Sequence, residues 1–340
     1  MKVVFDERQL AHEPPVFISS GAERPNPEVP ARATRLFEAA VRFGLTHVEP
    51  GEFGHEALAN AHTPRYLSFL ENIHRRWQYI DGASASVLPN VHPDGRGGGY
   101  PASAVGQVGF HIYDGACPVV AETWGSVCSS ANTAMQAARE VLAGDQAVYA
   151  LCRPPGHHAG RDLVGGFCYL NNCALAASVL RDRYERVAIL DIDVHHGNGT
   201  QDIFYARSDV LTVSLHAHPE RFYPFFWGYE NERGTAEGEG YNLNVALERG
   251  LGNDDYLAAL DAALVSVADY RPGALVVALG LDAHEADPFQ GMRITTDGFR
   301  RIAAAVAGLR LPTVLVQEGG YLSAALAANL DAFLRGFTDE

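Results

Sequence analysis

Apolar residues cluster in runs of strand length at four places along the chain. These are Val187–Asp191, Val210–Leu215, Ala274–Leu279 and Thr313–Gln317, each apolar at successive positions rather than at alternate ones. A strand buried on both faces by a parallel sheet reads this way. Between and around them the apolar period lengthens to that of a helix, in 131–143 (stopped by Gly144), 171–180, 255–268 and 299–309, with Asn253-Asp254 as the expected cap of the third. Strands alternating with helices predict a doubly wound α/β fold: one domain spanning 1–340, with an open, mostly parallel β-sheet flanked by helices. Two stretches break the pattern. Residues 83–105 crowd Pro89, Pro93, Pro101 and the run Asp94–Gly99, and about 217–240 is rich in aromatics and glycine. The first is read as a long functional loop insertion, extending over about 83–125, because the segments beside it do not look self-sufficient.

Each predicted strand runs into polar residues at its carboxyl end: Asp191-Ile-Asp193-Val-His195, Ser214-Leu-His216, Asp282 and Glu318-Gly-Gly-Tyr321. Ligands of open α/β sheets bind beyond those ends, so four sequence-distant strands converge on one candidate active site. Charge then narrows the classes. With 26 basic against 41 acidic residues the net charge is −15, which speaks against a nucleic-acid partner. No uncharged apolar run reaches the length of a membrane span, and the N-terminus meets acidic residues too early for a signal peptide. Five cysteines, Cys117, Cys128, Cys152, Cys168 and Cys173, lack zinc-type Cys-x-x-Cys spacing and are read as reduced thiols of a cytoplasmic protein.

In an extended chain Asp191, Asp193 and His195 share one side, while Ile192 and Val194 share the other. Two carboxylates and an imidazole crowded together call for a cation. Asp193, His195 and Asp282 make three protein ligands, which leaves a position open as in catalytic metal sites; Zn²⁺ suits the set, and Fe²⁺ or Co²⁺ also fit. The loop Arg153-Pro-Pro-Gly-His157-His158 offers tandem imidazoles, readable as surface residues, as further ligands, or as a general base beside a cationic partner; the last explains them best. Tyr321 follows a Gly-Gly turn that lets its hydroxyl approach a reacting oxygen.

Taken together, Arg153–Gly160, Gly165–Asn172, Asp191–Gly199, Gly280–Asp282 with Asp287-Pro288, and Glu318–Tyr321 resemble the arginase/deacetylase superfamily, and within it the metal-dependent deacetylases. Closest in character are the bacterial acetylpolyamine amidohydrolases and their histone-deacetylase-like relatives. The resemblance implies Zn²⁺ on Asp193, His195 and Asp282, His158 as general base and then acid, and His157 paired with Asp191. It also implies that Tyr321 polarises the scissile carbonyl and that Gly166, Phe167 and Tyr223 wall a narrow substrate tunnel. A structural K⁺ would sit near Asp191, Asp193, His195, Ser214 and Leu215, and Arg32 would lie near an internal acetate-release channel. Asn198 stands where many histone deacetylases carry a second Asp. The implied substrate is a small acetylated amine, most simply an acetylpolyamine, with acylated lysine in peptides or proteins as the alternative. Acidic residues would suit a polyamine's ammonium groups, yet 83–121 holds only Asp94 and Asp114. The resemblance and the long loop imply a homodimer. His284, in a run like that of two-manganese relatives, is read as a tunnel-rim or solvent residue.

Overall fold

The computed structural model describes residues 1–338. Ten strands are present: β1 (Lys2–Val4), β2 (Val16–Ser19), β3 (Ala22–Pro25), β4 (Thr46–Val48), β5 (Ala147–Ala150), β6 (Val187–Asp191), β7 (Val210–Ala217), β8 (Asn242–Leu247), β9 (Ala274–Leu279) and β10 (Thr313–Gln317). Eight of them form one sheet in the order β4-β1-β5-β10-β9-β6-β7-β8, while β2 and β3 make a separate hairpin. Every pairing in the large sheet is parallel.

The expected double burial of the strands is present and explains their composition. Along β9, Ala274, Val276 and Ala278 pack into one core, and Leu275, Val277 and Leu279 into the other. Along β6, Val187 and Ile189 face the first core while Ala188 and Leu190 face the second. Helices Pro64–Trp77, Thr123–Ala143 and Asn172–Leu180 cover the first face; Pro30–Phe43, Asn253–Tyr270, Thr296–Ala307 and Leu326–Thr338 cover the second. Each fully buried aliphatic side chain of this kind contributes about 1.5–3 kcal/mol, so the sheet is anchored from both sides.

Three boundaries differ from expectation. The helix expected from 131 begins at Thr123, because Ser126, Ser129 and Ser130 read as surface yet are buried. Ser126 Oγ donates to the Arg8 carbonyl at 2.9 Å and Ser130 Oγ to the Pro154 carbonyl at 2.9 Å, which satisfies those two hydroxyls inside. Asn253 does not cap its own helix; Gly252 precedes it without a side-chain cap, and Asn253 Oδ1 instead accepts from the Thr295 N–H at 3.0 Å. The helix expected from 299 starts at Thr296, where Thr295 Oγ1 accepts the Gly298 N–H at 3.1 Å. Within the insertion, Ala104–His111 is helical, and the chain that precedes it runs exposed over the surface.

Candidate active site

The carboxyl ends of β5, β10, β9 and β6, four neighbours at the middle of the sheet, deliver the site. Beyond β5 comes the loop with His157 and His158, beyond β10 the turn with Tyr321, beyond β9 Asp282, and beyond β6 Asp191, Asp193 and His195. The sequence pointed to β7 as the fourth contributor, and here the structure corrects it. Ser214 and His216 bond each other at 2.8 Å and lie away from the main cavity, Ser214 sharing a small recess with Asp191 and His196. The strand it missed, β5, carries the tandem histidines.

Asp193, His195 and Asp282 are buried, and one ligand atom from each lies within 4.8 Å of the others. His195 Nδ1 stands 3.0 Å from Asp193 Oδ1 and 3.2 Å from Asp282 Oδ2. Backbone donors orient the carboxylates: the Gly319 N–H reaches Asp193 Oδ2 at 2.8 Å and the Val194 N–H reaches Asp282 Oδ1 at 3.1 Å. Asp282 Oδ2, fully buried, accepts no hydrogen bond. A buried carboxylate oxygen with no donor is costly unless a cation meets it, so these residues fit a metal. A Cβ at Gly319 would collide with the Oδ2 atoms of both Asp282 and Asp193, so that position demands glycine. Burial alone would lower the imidazole pKa of His195, but the Asp193 and Asp282 carboxylates beside it outweigh burial and push it up to about 9. A cation held by Asp193, His195 and Asp282 would take over that charge balance in place of the proton.

His157 and His158 stack with ring centroids 4.0 Å apart, but their surroundings drive them in opposite directions. His157 Nδ1 lies 2.9 Å from Asp191 Oδ2. Burial disfavours its charge, yet the Asp191 and Asp193 carboxylates overcome this and push His157 up to about 10. His158 is held well below its ordinary value by burial first, then by cationic His157 and His195. Its Nδ1 lies 2.7 Å from Asn198 Oδ1. One imidazole is thus a fixed cation and its neighbour a free base, the split expected of an acid/base pair.

These groups open on a cavity of about 710 Å³ that is also lined by Tyr321 and by Gly166, Phe167 and Tyr223, the three residues expected to wall a tunnel. Gly166 and Phe167 both adopt left-handed backbone, with φ of 56° and 66°. Glycine is required at 166, since a Cβ there would strike the His158 ring and come within 2.8 Å of Tyr223 Oη. Tyr321 is flanked by Phe289 at 4.7 Å and Phe167 at 6.0 Å between ring centroids. Burial raises its phenol well above the ordinary value, so it stays a neutral donor. Among the described residues the acidic groups lining this cavity are Asp114 and Asp193, and Arg221 and Arg249 stand at its exposed rim.

Several residues take contacts at the site that the sequence reading did not assign. Glu318 Oε2 accepts the backbone N–H groups of Gly156 at 2.6 Å and His157 at 3.0 Å, clamping the histidine loop to the end of β10. Glu318 also groups with His157 and Cys168 at metal-ligand spacing, but its hydrogen bonds to those amides and the His157–Asp191 pair make this a bracket rather than a second metal site. Asp287 Oδ2 accepts the Tyr321 N–H at 3.0 Å. Phe17 and Ile18, from the β2 strand, and Tyr113 and Asp114, from the insertion, complete the wall. Arg32 is buried behind the site: Nε donates to the Gly320 carbonyl at 2.6 Å, Nη2 to the Glu318 carbonyl at 2.8 Å, and the guanidinium lies 4.8 Å from the Tyr321 ring centroid. His284 is neither at the rim nor in solvent. It is buried beside Phe299, and its Nδ1 accepts the Ala286 N–H at 3.1 Å. All five cysteines are free thiols, four of them buried.

The histone deacetylase domain family matches residues 26–337. The chain is 44% identical over 342 aligned residues to the acetylpolyamine amidohydrolase of Burkholderia pseudomallei, covering 99% of this chain and 98% of that one. It is 40% identical to acetylpolyamine amidohydrolase 1 of Pseudomonas aeruginosa, covering 99% of each. A crystal structure of the acetylpolyamine aminohydrolase from Burkholderia pseudomallei superposes with a TM-score of 0.96 at 44% identity, covering 99% of this chain and 98% of that one. With the buried acid–imidazole cluster and the two unlike histidines in place, this chain belongs to the histone deacetylase family and is a metal-dependent deacetylase.

Proposed function

We propose that the protein hydrolyses the amide of N-acetylated polyamines, using Zn²⁺ held by Asp193, His195 and Asp282. The observation that carries this reading is the meeting, in one aromatic-walled cavity, of that ligand set with a basic imidazole, a cationic imidazole and a neutral phenol. The names of its relatives supply the substrate class. When bound, the cation supplies Lewis acidity to the scissile carbonyl and to the attacking water. His158, with Nδ1 engaged by Asn198, keeps the Nε2 lone pair for the proton of that water. The oxygen adds to the carbonyl carbon, and the Tyr321 hydroxyl donates to the oxyanion as it forms. His157 stays protonated through Asp191 and steadies the developing negative charge. His158 then passes its proton to the amine nitrogen, the C–N bond breaks, and acetate and free amine leave.

A structural K⁺ is part of the same reading. Asp191 and Ser214 are register partners on β6 and β7, which supports their sharing one ion. The reading also takes the protein as a cytoplasmic homodimer, supported by the five free thiols and by exposed Tyr79 and Phe226. No helix among the described residues is long and apolar enough to cross a membrane.

Substrate class is tested by comparing kcat/KM for acetylputrescine and acetylspermidine with that for acetyl-lysine peptides. The flanking residues of a peptide must pass a mouth bounded by Phe225, Phe226, Arg221 and Arg249. We expect the polyamines to lead by about 10-fold or more. Equal or higher values for the peptides would assign the protein to lysine deacetylation instead.

A further inference from the structure

A carboxylate in the cavity wall and the catalytic imidazole are joined by an unbroken string of hydrogen bonds. The Tyr223 hydroxyl donates to Asp114 Oδ2 at 2.6 Å, and the Tyr113 and Tyr223 hydroxyl oxygens lie 2.7 Å apart. Asn198 Nδ2 reaches the Tyr113 oxygen at 3.4 Å, and Asn198 Oδ1 faces His158 Nδ1 at 2.7 Å. We propose that this string, Asp114–Tyr223–Tyr113–Asn198, fixes the tautomer of His158, and that Tyr113 is the positioning residue that decides which end of the Asn198 amide meets the imidazole. The proposal deepens the deacetylase reading above, in which His158 Nε2 is the base.

The direction of every bond follows from its fixed end. Backbone N–H groups can only donate, and Asp114 takes two of them, from Ala116 at 2.9 Å on Oδ1 and from Gly166 at 3.1 Å on Oδ2. Each oxygen of Asp114 thus accepts an N–H, and the Tyr223 hydroxyl donates its proton to Oδ2. The Tyr223 oxygen is left to accept, so the Tyr113 hydroxyl donates to it. The Tyr113 oxygen in turn accepts, and only the NH₂ end of Asn198 can supply that proton. Oδ1 must then point at His158, which sets the proton on Nδ1 and leaves Nε2 as a lone pair.

An amide is nearly symmetric in shape, so packing alone does not choose its orientation. Among the described residues Asn198 Nδ2 has no hydrogen-bond partner besides Tyr113. If the amide turned over, an N–H would face Nδ1, the imidazole proton would move to Nε2, and the base would be lost. An Asp at 198 would not need the string, because either of its oxygens accepts.

The test is a double-mutant cycle on the zinc-loaded protein with acetylputrescine. Tyr113→Phe should lower kcat about 10-fold, with a smaller change in KM. In the Asn198→Asp background the same change should alter kcat by less than about 2-fold. An equal loss in both backgrounds would make Tyr113 a packing residue and overturn the proposal, as would no loss in the Asn198 enzyme. ¹⁵N NMR of histidine-labelled, zinc-loaded protein decides independently of rate: His158 should be protonated at Nδ1 alone in wild type and at both nitrogens in exchange in Tyr113→Phe. A single unchanged tautomer in that variant would refute the string. Absence of acetate release by wild type would instead strike at the deacetylase reading itself.

Discussion

Replacing Tyr321 with Phe lowers kcat about 10²–10³-fold, the usual effect of removing one donor to an oxyanion. Packing supports attributing that loss to the hydroxyl alone. The ring is held between Phe289 and Phe167 and under the Arg32 guanidinium, contacts that a Phe ring keeps. The backbone of residue 321 is fixed by Asp287, which does not involve the side chain. The change thus leaves the fold, the Asp193–His195–Asp282 cluster and the histidine pair in place and should subtract one hydrogen bond to the developing negative charge. Burial keeps the wild-type phenol a neutral donor, and Phe has no titratable group, so the loss should be the same at every pH. Steady-state rates on the zinc-loaded variant, with thermal unfolding recorded alongside, check this. Turnover within a few-fold of wild type would remove Tyr321 from the chemistry.

Glu28→Gln has the largest expected effect on stability. Glu28 is 1% exposed and sits between two buried cations, with Arg32 Nη1 at 2.7 Å and Arg153 Nε at 2.9 Å from its Oε1. Arg153 spends its remaining donors on carbonyls, including Gln9 at 2.7 Å, and Arg32 spends its own on Gly320 and Glu318. A neutral amide leaves two guanidinium charges buried against each other, and breaking a buried pair in this way costs about 3–5 kcal/mol. Arg153 opens the histidine loop and Arg32 braces the turn before Tyr321, so activity should fall with stability. Thermal unfolding followed by circular dichroism should show a clear drop in Tm; a Tm within about 1 °C of wild type would mean the charge is balanced elsewhere.

The sequence reading succeeded where physical chemistry is local. Four strands were legible because they are buried on both faces, and the cluster of Asp193, His195 and Asp282 because like charges at strand ends demand a cation. Failure came where tertiary contacts decide. β4 and β5 are only three and four residues long, too short to show a period, and β5 delivers the tandem histidines. Ser126, Ser129 and Ser130 look like surface until the N-terminal segment and the 153–154 turn cover them. Tyr113 and Asp114 lie in a stretch without regular pattern, and only the folded chain sets them beside Tyr223 and Asn198. His284 shares the motif of Asp282 two residues before it, but only the folded chain shows it packed against Phe299.

Metal content and acetate release, measured together on wild type and Asp282→Asn, test the central claim most directly. Wild type should retain a single divalent cation per chain through dialysis and release acetate from acetylputrescine. Asp282→Asn should lose the cation and the acetate release together. Undiminished acetate release from wild type stripped of its metal would contradict the account.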